Sequence, residues 1–249
     1  MRRALLIVSF MLASTAVCSA QTFYFPQVAI GAFENGYWTT TIFLSNATGA
    51  TASGQIVLTR SDGGRFRSRW FDEAGNRVGS ENIVPFQLGP RESRKFSAAA
   101  DIQLMTGFAT VSSNSAGVVG TAMFTQLDLA GNMTAEAGVP MGIPLGKQAV
   151  FVDTVNGFQT GVAIANPNTA ALHINFELVS DTGQIIATQA RDLAPGQHLA
   201  IFTSQLFPDA PPMVGRLQFY CVNPMVAVAL RFEPSFTVFT TMPPIAIAP

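Results

Sequence analysis

The chain has 249 residues, of which 48% are hydrophobic and only 12% charged, and its formal net charge is −1. That apolar share excludes a disordered chain, and the lack of a positive excess argues against a general nucleic-acid binder, which draws on clustered lysine and arginine. The 2 cysteines are too few for a disulfide-stapled scaffold, so stability has to come from burial.

The first element in chain order is a candidate export signal. Arg2 and Arg3 form a short positive region, Leu5 to Leu12 an apolar run, and Cys18-Ser19-Ala20 a small-residue cleavage site. The run is far shorter than the ~20 residues that cross a bilayer, so residues 1–20 are expected to be a removed signal peptide. The mature chain is then secreted or periplasmic. Without Arg2 and Arg3 its formal charge goes from −1 to −3. Thr15-Ala16-Val17 lacks the leucine of a lipoprotein signal, and cleavage after Ala20 leaves Cys221 as the mature thiol, expected as an inert core residue. Beyond the signal, no apolar run has the length of a membrane helix.

Short runs rich in β-branched and aromatic residues then alternate with Gly, Asn, Asp and Pro, and helical periodicity is nearly absent. Strands are predicted over 23–30, 37–45, 53–60, 65–71, 81–88, 93–98, 105–113 and 117–126. A second series covers 149–154, 158–165, 171–180, 184–192, 197–202, 214–222, 225–232 and 236–241. Asp62-Gly63-Gly64, Glu73-Ala74-Gly75-Asn76 and Asp181-Thr182-Gly183 supply side-chain acceptors and positive-φ positions for hairpins. Phe202 to Pro208 reads as one helical turn, capped by Thr203 and stopped by Pro208.

The two series are diverged copies of one unit. Tyr37 to Asn46 corresponds to Gly157 to Asn166, Leu88-Gly89-Pro90 to Leu193-Ala194-Pro195, and Val118 to Met123 to Met225 to Leu230. Each unit of roughly a hundred residues has the size of a β-sandwich. The expected organisation is all-β: a signal peptide, then two tandem antiparallel sandwiches over 21–146 and 147–249. The first copy has extra sequence between Leu58 and Phe71, expected as an additional hairpin near 59–71. The junction around Gly142-Ile143-Pro144 is short and apolar, which predicts a packed joint rather than a tether.

On Phe25-Pro26-Gln27-Val28-Ala29, Asn166-Pro167 and the Leu193 to Gly196 turn, the chain resembles bacterial secreted proteins of tandem immunoglobulin-like or fibronectin type III-like sandwiches. The resemblance implies the two-sheet fold and assigns no activity.

Catalytic signatures are missing. Asp181-Thr182-Gly183 matches the tripeptide of aspartic proteases, but that chemistry needs a second aspartate, and the first copy reads Asp72-Glu73-Ala74-Gly75. With 2 histidines, His173 and His198, and one mature cysteine, neither a zinc site nor a Cys–His pair is supplied. No Gly-x-Ser-x-Gly elbow, phosphate loop, dinucleotide fingerprint or calcium loop occurs, so no catalytic residue, metal or cofactor is expected. The most unusual segment is Arg65-Phe66-Arg67-Ser68-Arg69-Trp70. On a strand, period two puts Arg65, Arg67 and Arg69 on one face, with Arg60 and Arg77 able to extend it. Such a stripe suits an anionic glycan, an envelope polymer or a protein partner.

The expected function is therefore a non-catalytic interaction or structural module of the cell surface or periplasm. One alternative is a carbohydrate-active or proteolytic enzyme using Asp153, Glu177 or Asp181. The other is a periplasmic assembly chaperone, which would need an exposed edge strand facing the cleft between units.

Overall fold

The computed structural model describes residues 19–79, 81–100 and 103–247, so the expected signal peptide falls outside the described residues apart from its last two positions. The protein is all-β and antiparallel. Its first half contributes β1 (Gln21–Phe33), β2 (Gly36–Asn46), β3 (Ala52–Arg60), β4 (Trp70–Phe71), β5 (Arg77–Val78), β6 (Ile83–Leu88), β7 (Ser93–Ala98), β8 (Met105–Ser113), β9 (Val118–Leu127) and β10 (Met133–Pro140). The second half contributes β11 (Leu145–Asp153), β12 (Gln159–Ala165), β13 (Leu172–Ser180), β14 (Ile185–Leu193) and β15 (His198–Phe202). It continues with the single turn α1 (Thr203–Leu206), β16 (Val214–Phe232), β17 (Phe239–Met242) and β18 (Ile245–Ala246).

In the first half, β1-β8-β3-β6 form one layer and β10-β9-β2-β7-β4-β5 the other. In the second half the layers are β18-β11-β16-β13-β14 and β17-β16-β12-β15. Apart from β4, β5 and β18 the order repeats, with the start of β16 in the place of β8 and its end in the place of β9. The sequence repeat is therefore a repeat of topology.

One strand in each half serves both layers. β1 pairs with β8 up to Ile30 and with β2 from Gly31, while β16 pairs with β13 up to Tyr220 and with β12 from Val226. The separate strands expected over 214–222 and 225–232 are thus one strand that changes partners. Pro224, with no N–H to donate, sits at the change, beside a Val222 that is 98% exposed.

The alternation of each strand delivers its apolar side chains to a core between the layers. Phe23, Phe25, Ile56, Val84 and Val111 from one layer meet Ile42, Leu44, Phe96 and Val139 from the other. Val150, Ile174, Phe176, Leu217 and Phe219 meet Val162, Ile164 and Ala227 in the second half. Cys221 is partly buried against that second core.

Four other expectations need correction. The segment from Phe66 to Arg69 is extended but unladdered, and only Trp70–Phe71 joins a sheet; the extra hairpin is β4–β5. Its inside–outside alternation still holds, with Phe66 and Trp70 buried and the arginines exposed, because it crosses from one layer to the other over the end of the core. β10 was not expected: Met133–Pro140 is poor in β-branched residues, and its pairing with β9 overrides that composition. Finally, Thr203 is the first helical residue rather than the cap, its hydroxyl donating to the Thr160 carbonyl at 2.9 Å. Gln205 Oε1 closes the turn instead, accepting the Phe202 N–H at 3.0 Å.

Each half locks the turn after its second strand in the same way. Asn46 is buried, and its Nδ2 donates to the carbonyls of Ala50, Leu88 and Gly89 while its Oδ1 accepts from Thr48. Asn166 repeats this with Ala170, Leu193, Ala194 and Asn168.

Candidate functional site

The outer face of one layer of each half is covered by the other half. On β12 and the end of β16, Val162, Ile164 and Ala227 point into their own core, while Ala163, Ala165, Val226, Val228 and Leu230 pack on the first half. They meet the outward side of β1 and β8 at Tyr24 and Phe108. Burial on both faces is why Val162-Ala163-Ile164-Ala165 and Met225 to Leu230 read as continuous apolar runs instead of alternating ones.

Polar contacts fix the same joint. Residues 141–144 link the halves, and Gly142 exchanges both backbone hydrogen bonds with Tyr24, at 2.7 and 3.1 Å. At the opposite end, the turns at Gly63 and Gly196 touch. Both glycines have positive φ, 84° and 71°, and a side chain at Gly63 would stand 3.4 Å from the Pro195 carbonyl oxygen. The His198 N–H donates to the Ser61 carbonyl at 3.0 Å, and Ser61 Oγ lies 3.0 Å from His198 Nδ1 and 2.9 Å from Thr106 Oγ1.

Ser61 and His198 have the types of a nucleophile and its base, but not the setting. Burial lowers the His198 pKa to about 4, so the imidazole is neutral, and no carboxylate hydrogen-bonds it among the described residues. His198 is buried in the joint, and Ser61 beside it is half-buried. The pair is a clasp between halves.

Between these two fastenings the halves stand apart and enclose an open cleft of about 360 Å³. Its floor is made of small residues, Ala29 on β1 and Gly161 and Ala163 on β12, with Ala200 on β15 at the mouth. Aromatic side chains wall it: Trp38, Phe124, Phe202 and Phe232. They belong to a continuous series of rings running from one half to the other. Trp38 lies 5.3 Å from Phe124, Phe124 stacks on Phe239 at 5.3 Å, Phe239 lies 5.3 Å from Phe232, and Phe232 lies 5.4 Å from Phe202.

Among the described residues no charged side chain lines the cleft. Three polar ones do. Thr106 is engaged with Ser61, and Gln205 with the Phe202 N–H. Gln27 is different: it is 8% exposed, and its Oε1 is buried without a hydrogen-bond donor. Buried acceptors are almost always paired; this one is covered by protein atoms, so a partner in the cleft meets it only when the side chain turns.

Comparison with protein families, curated proteins and solved structures gives no match. The reading of the site therefore rests on its own chemistry.

The arginines singled out in the sequence lie elsewhere. Arg65 Nη1 is 2.9 Å from Glu81, Arg67 approaches the same carboxylate at 3.9 Å, and both side chains are 68% exposed. Arg60 is held by Asp62, whose carboxyl that guanidinium lowers below its usual range. Arg69 is exposed beside them, and Arg77 is exposed on β5. The candidate acids are not assembled either. Asp153 binds Arg231 at 2.6 Å, and that guanidinium stacks over Phe158 at 3.6 Å. Glu177 accepts from Gln218 and Tyr220 in a hollow on the outer face of the sheet, whereas Asp181 sits in the β13–β14 turn beside a different hollow. His173 is exposed and pairs with Asp192. The chain holds two Asn-x-Thr sequons, Asn46-Ala47-Thr48 and Asn132-Met133-Thr134; Asn46 is buried in its corner, and Asn132 folds onto Asp128 in the β9–β10 turn.

Among the described residues no group of three His, Cys, Asp or Glu side chains is placed to hold a metal, and no helix is long and apolar enough to cross a membrane. The cleft residues were missed in the sequence because they come from seven strands and α1. The signal that points to them is the pair of unalternating runs, which requires something to cover the outer face of β12 and β16.

Proposed function

We propose that the protein is an exported, non-catalytic binding module whose ligand site is the cleft between its halves. The observation that carries this reading is a preformed apolar hollow, walled by aromatic rings and free of charge among the described residues, with the unpaired acceptor of Gln27 buried beside it. Its size lies at the lower end of the range of small-molecule sites, and such sites combine apolar walls with a few placed polar groups. Among the described residues the cleft wall carries no carboxylate, histidine or cysteine, which supports binding rather than turnover. The positive start and apolar run of residues 2–12 support export.

A thermal-shift screen of small neutral compounds against the mature chain tests this reading. Ligand binding to the folded state raises the unfolding temperature by mass action. Turnover of a defined substrate, abolished by a point substitution, would contradict it.

A second site has its own observation. Arg65, Arg67 and Arg69 stand exposed on one side of a segment pinned by buried Phe66 and Trp70, and one carboxylate, Glu81, serves two of them. We read this face as a contact for an anionic glycan or envelope polymer. Replacing the three arginines with serine is expected to weaken retention on an anionic polysaccharide, and salt is expected to weaken it in the native chain. Retention by the triple variant equal to the native chain's would remove this site.

A further inference from the structure

Resting on the cleft reading, the geometry points to the ligand class: a neutral, ring-bearing molecule that carries one hydrogen-bond donor, with Gln27 as the residue that selects it. Three features of the wall lead there. The first is the absence of charge. A carboxylate or ammonium placed between Trp38, Phe124, Phe202 and Phe232 would lose its water and find no counter-ion among the described residues, which is strongly unfavourable. The second is the wall's composition. Flat rings fit the offset and edge-on packing that the aromatic series already uses, with Trp38 tilted 42° to Phe124 and Phe202 edge-on to Phe232 at 74°.

The third is Gln27. It follows Pro26 at the point where the β1–β8 register shifts between Phe25 and Val28, and this bulge aims it out of the ladder. Its Oε1 has no donor, whereas Thr106 Oγ1 and Gln205 Oε1 are already engaged. A ligand hydroxyl or N–H that reaches Oε1 gains a bond and also removes the penalty of an unsatisfied buried acceptor. A ligand of the same shape with no donor leaves that penalty in place. Selection by this group is therefore a matter of the donor, not of size.

Calorimetric titration with 2-naphthol, naphthalene and 2-naphthoate separates these features, because the three share one ring system. The expected order is 2-naphthol tightest, naphthalene about three- to tenfold weaker, and 2-naphthoate about a hundredfold weaker or undetectable. Gln27→Leu replaces a buried, unpaired amide with an apolar side chain of similar size, so the fold is expected to tolerate it. It should abolish the preference for 2-naphthol over naphthalene. Ala200→Trp, at the exposed mouth, should block all three. If 2-naphthoate binds as well as 2-naphthol, or Gln27→Leu keeps the preference, the ligand class is wrong while the cleft stands. If none of the three binds, or Ala200→Trp leaves binding unchanged, the cleft reading falls and this inference with it.

Discussion

The two halves share a strand order and a buried asparagine corner, yet they use their surfaces differently. In the first half the surplus sequence goes into the crossing segment and the β4–β5 hairpin, which covers the end of the core and displays arginines. In the second half β13 turns directly into β14 through Asp181-Thr182-Gly183. Register shows the same contrast at single residues. Ser93 and His198 occupy equivalent places after the Leu-x-Pro turn, but Ser93 is exposed and hydrogen-bonds Ser45, whereas His198 is buried against Ser61 of the other half. The scaffold was copied, and the copies diverged where they meet each other and where they meet solvent.

The contrast predicts which changes spread across the molecule. Phe239 belongs to the second half but is buried among Trp38, Phe124 and Phe232. Phe239→Ala is expected to cost about 3–5 kcal/mol, the usual range for a buried phenylalanine. Both tryptophans, Trp38 and Trp70, lie in the first half, so their fluorescence reports that half while far-UV circular dichroism reports both. Urea midpoints from the two probes should fall together. A second half that keeps its midpoint would show the halves to be independent.

Next in size is the clasp. Burial keeps His198 neutral down to about 4, against 6.5 for an unperturbed imidazole, so between those values the unfolded chain binds the extra proton. Stability is then full above pH 6.5 and is lost as the pH falls towards 4, by about 3 kcal/mol, since each tenfold difference in proton affinity between the folded and unfolded chain contributes about 1.4 kcal/mol. Carboxylates held low, such as Glu233, lose their contribution only below their ordinary value of 4.5. Urea titrations between pH 7 and 4.5 should show the step in the native chain and not in His198→Asn.

The corners should respond alike. Asn46→Ala and Asn166→Ala each strand buried carbonyls and are expected to cost roughly 2–3 kcal/mol. A large difference between them would break the equivalence of the halves. At the low end, serine in place of Arg65, Arg67 and Arg69 should change stability by less than about 0.5 kcal/mol, because exposed ion pairs contribute little.

How legible was this in the chain? The strands with clear alternation were, and β7 and β8 fall where the pattern places them, at 93–98 and 105–113. So was the repeat, since Asn46 and Asn166 stand at matching places in its blocks. β10 was not, because Ala135, Ala137 and Gly138 carry no strand preference and take their conformation from β9. The unbroken strand β16 was hidden by Pro224, which reads as a stop and serves as a bend. The cleft lay beyond reach for a different reason. Its residues are apolar or small, each has an ordinary core reading in sequence, and only the packing of one half on the other sets them around a shared space. The arginines drew attention because charge is visible in a sequence and an enclosed surface is not.

The most direct measurement is methyl NMR of the alanine-labelled chain titrated with 2-naphthol. Ala29, Ala163 and Ala200 line the cleft, whereas Ala187 and Ala190 line two other hollows of the second half. A ligand site between the halves predicts shifts at Ala29, Ala163 and Ala200 with Ala187 and Ala190 unmoved. Shifts confined to Ala187 and Ala190, or none at any of the five, would contradict it.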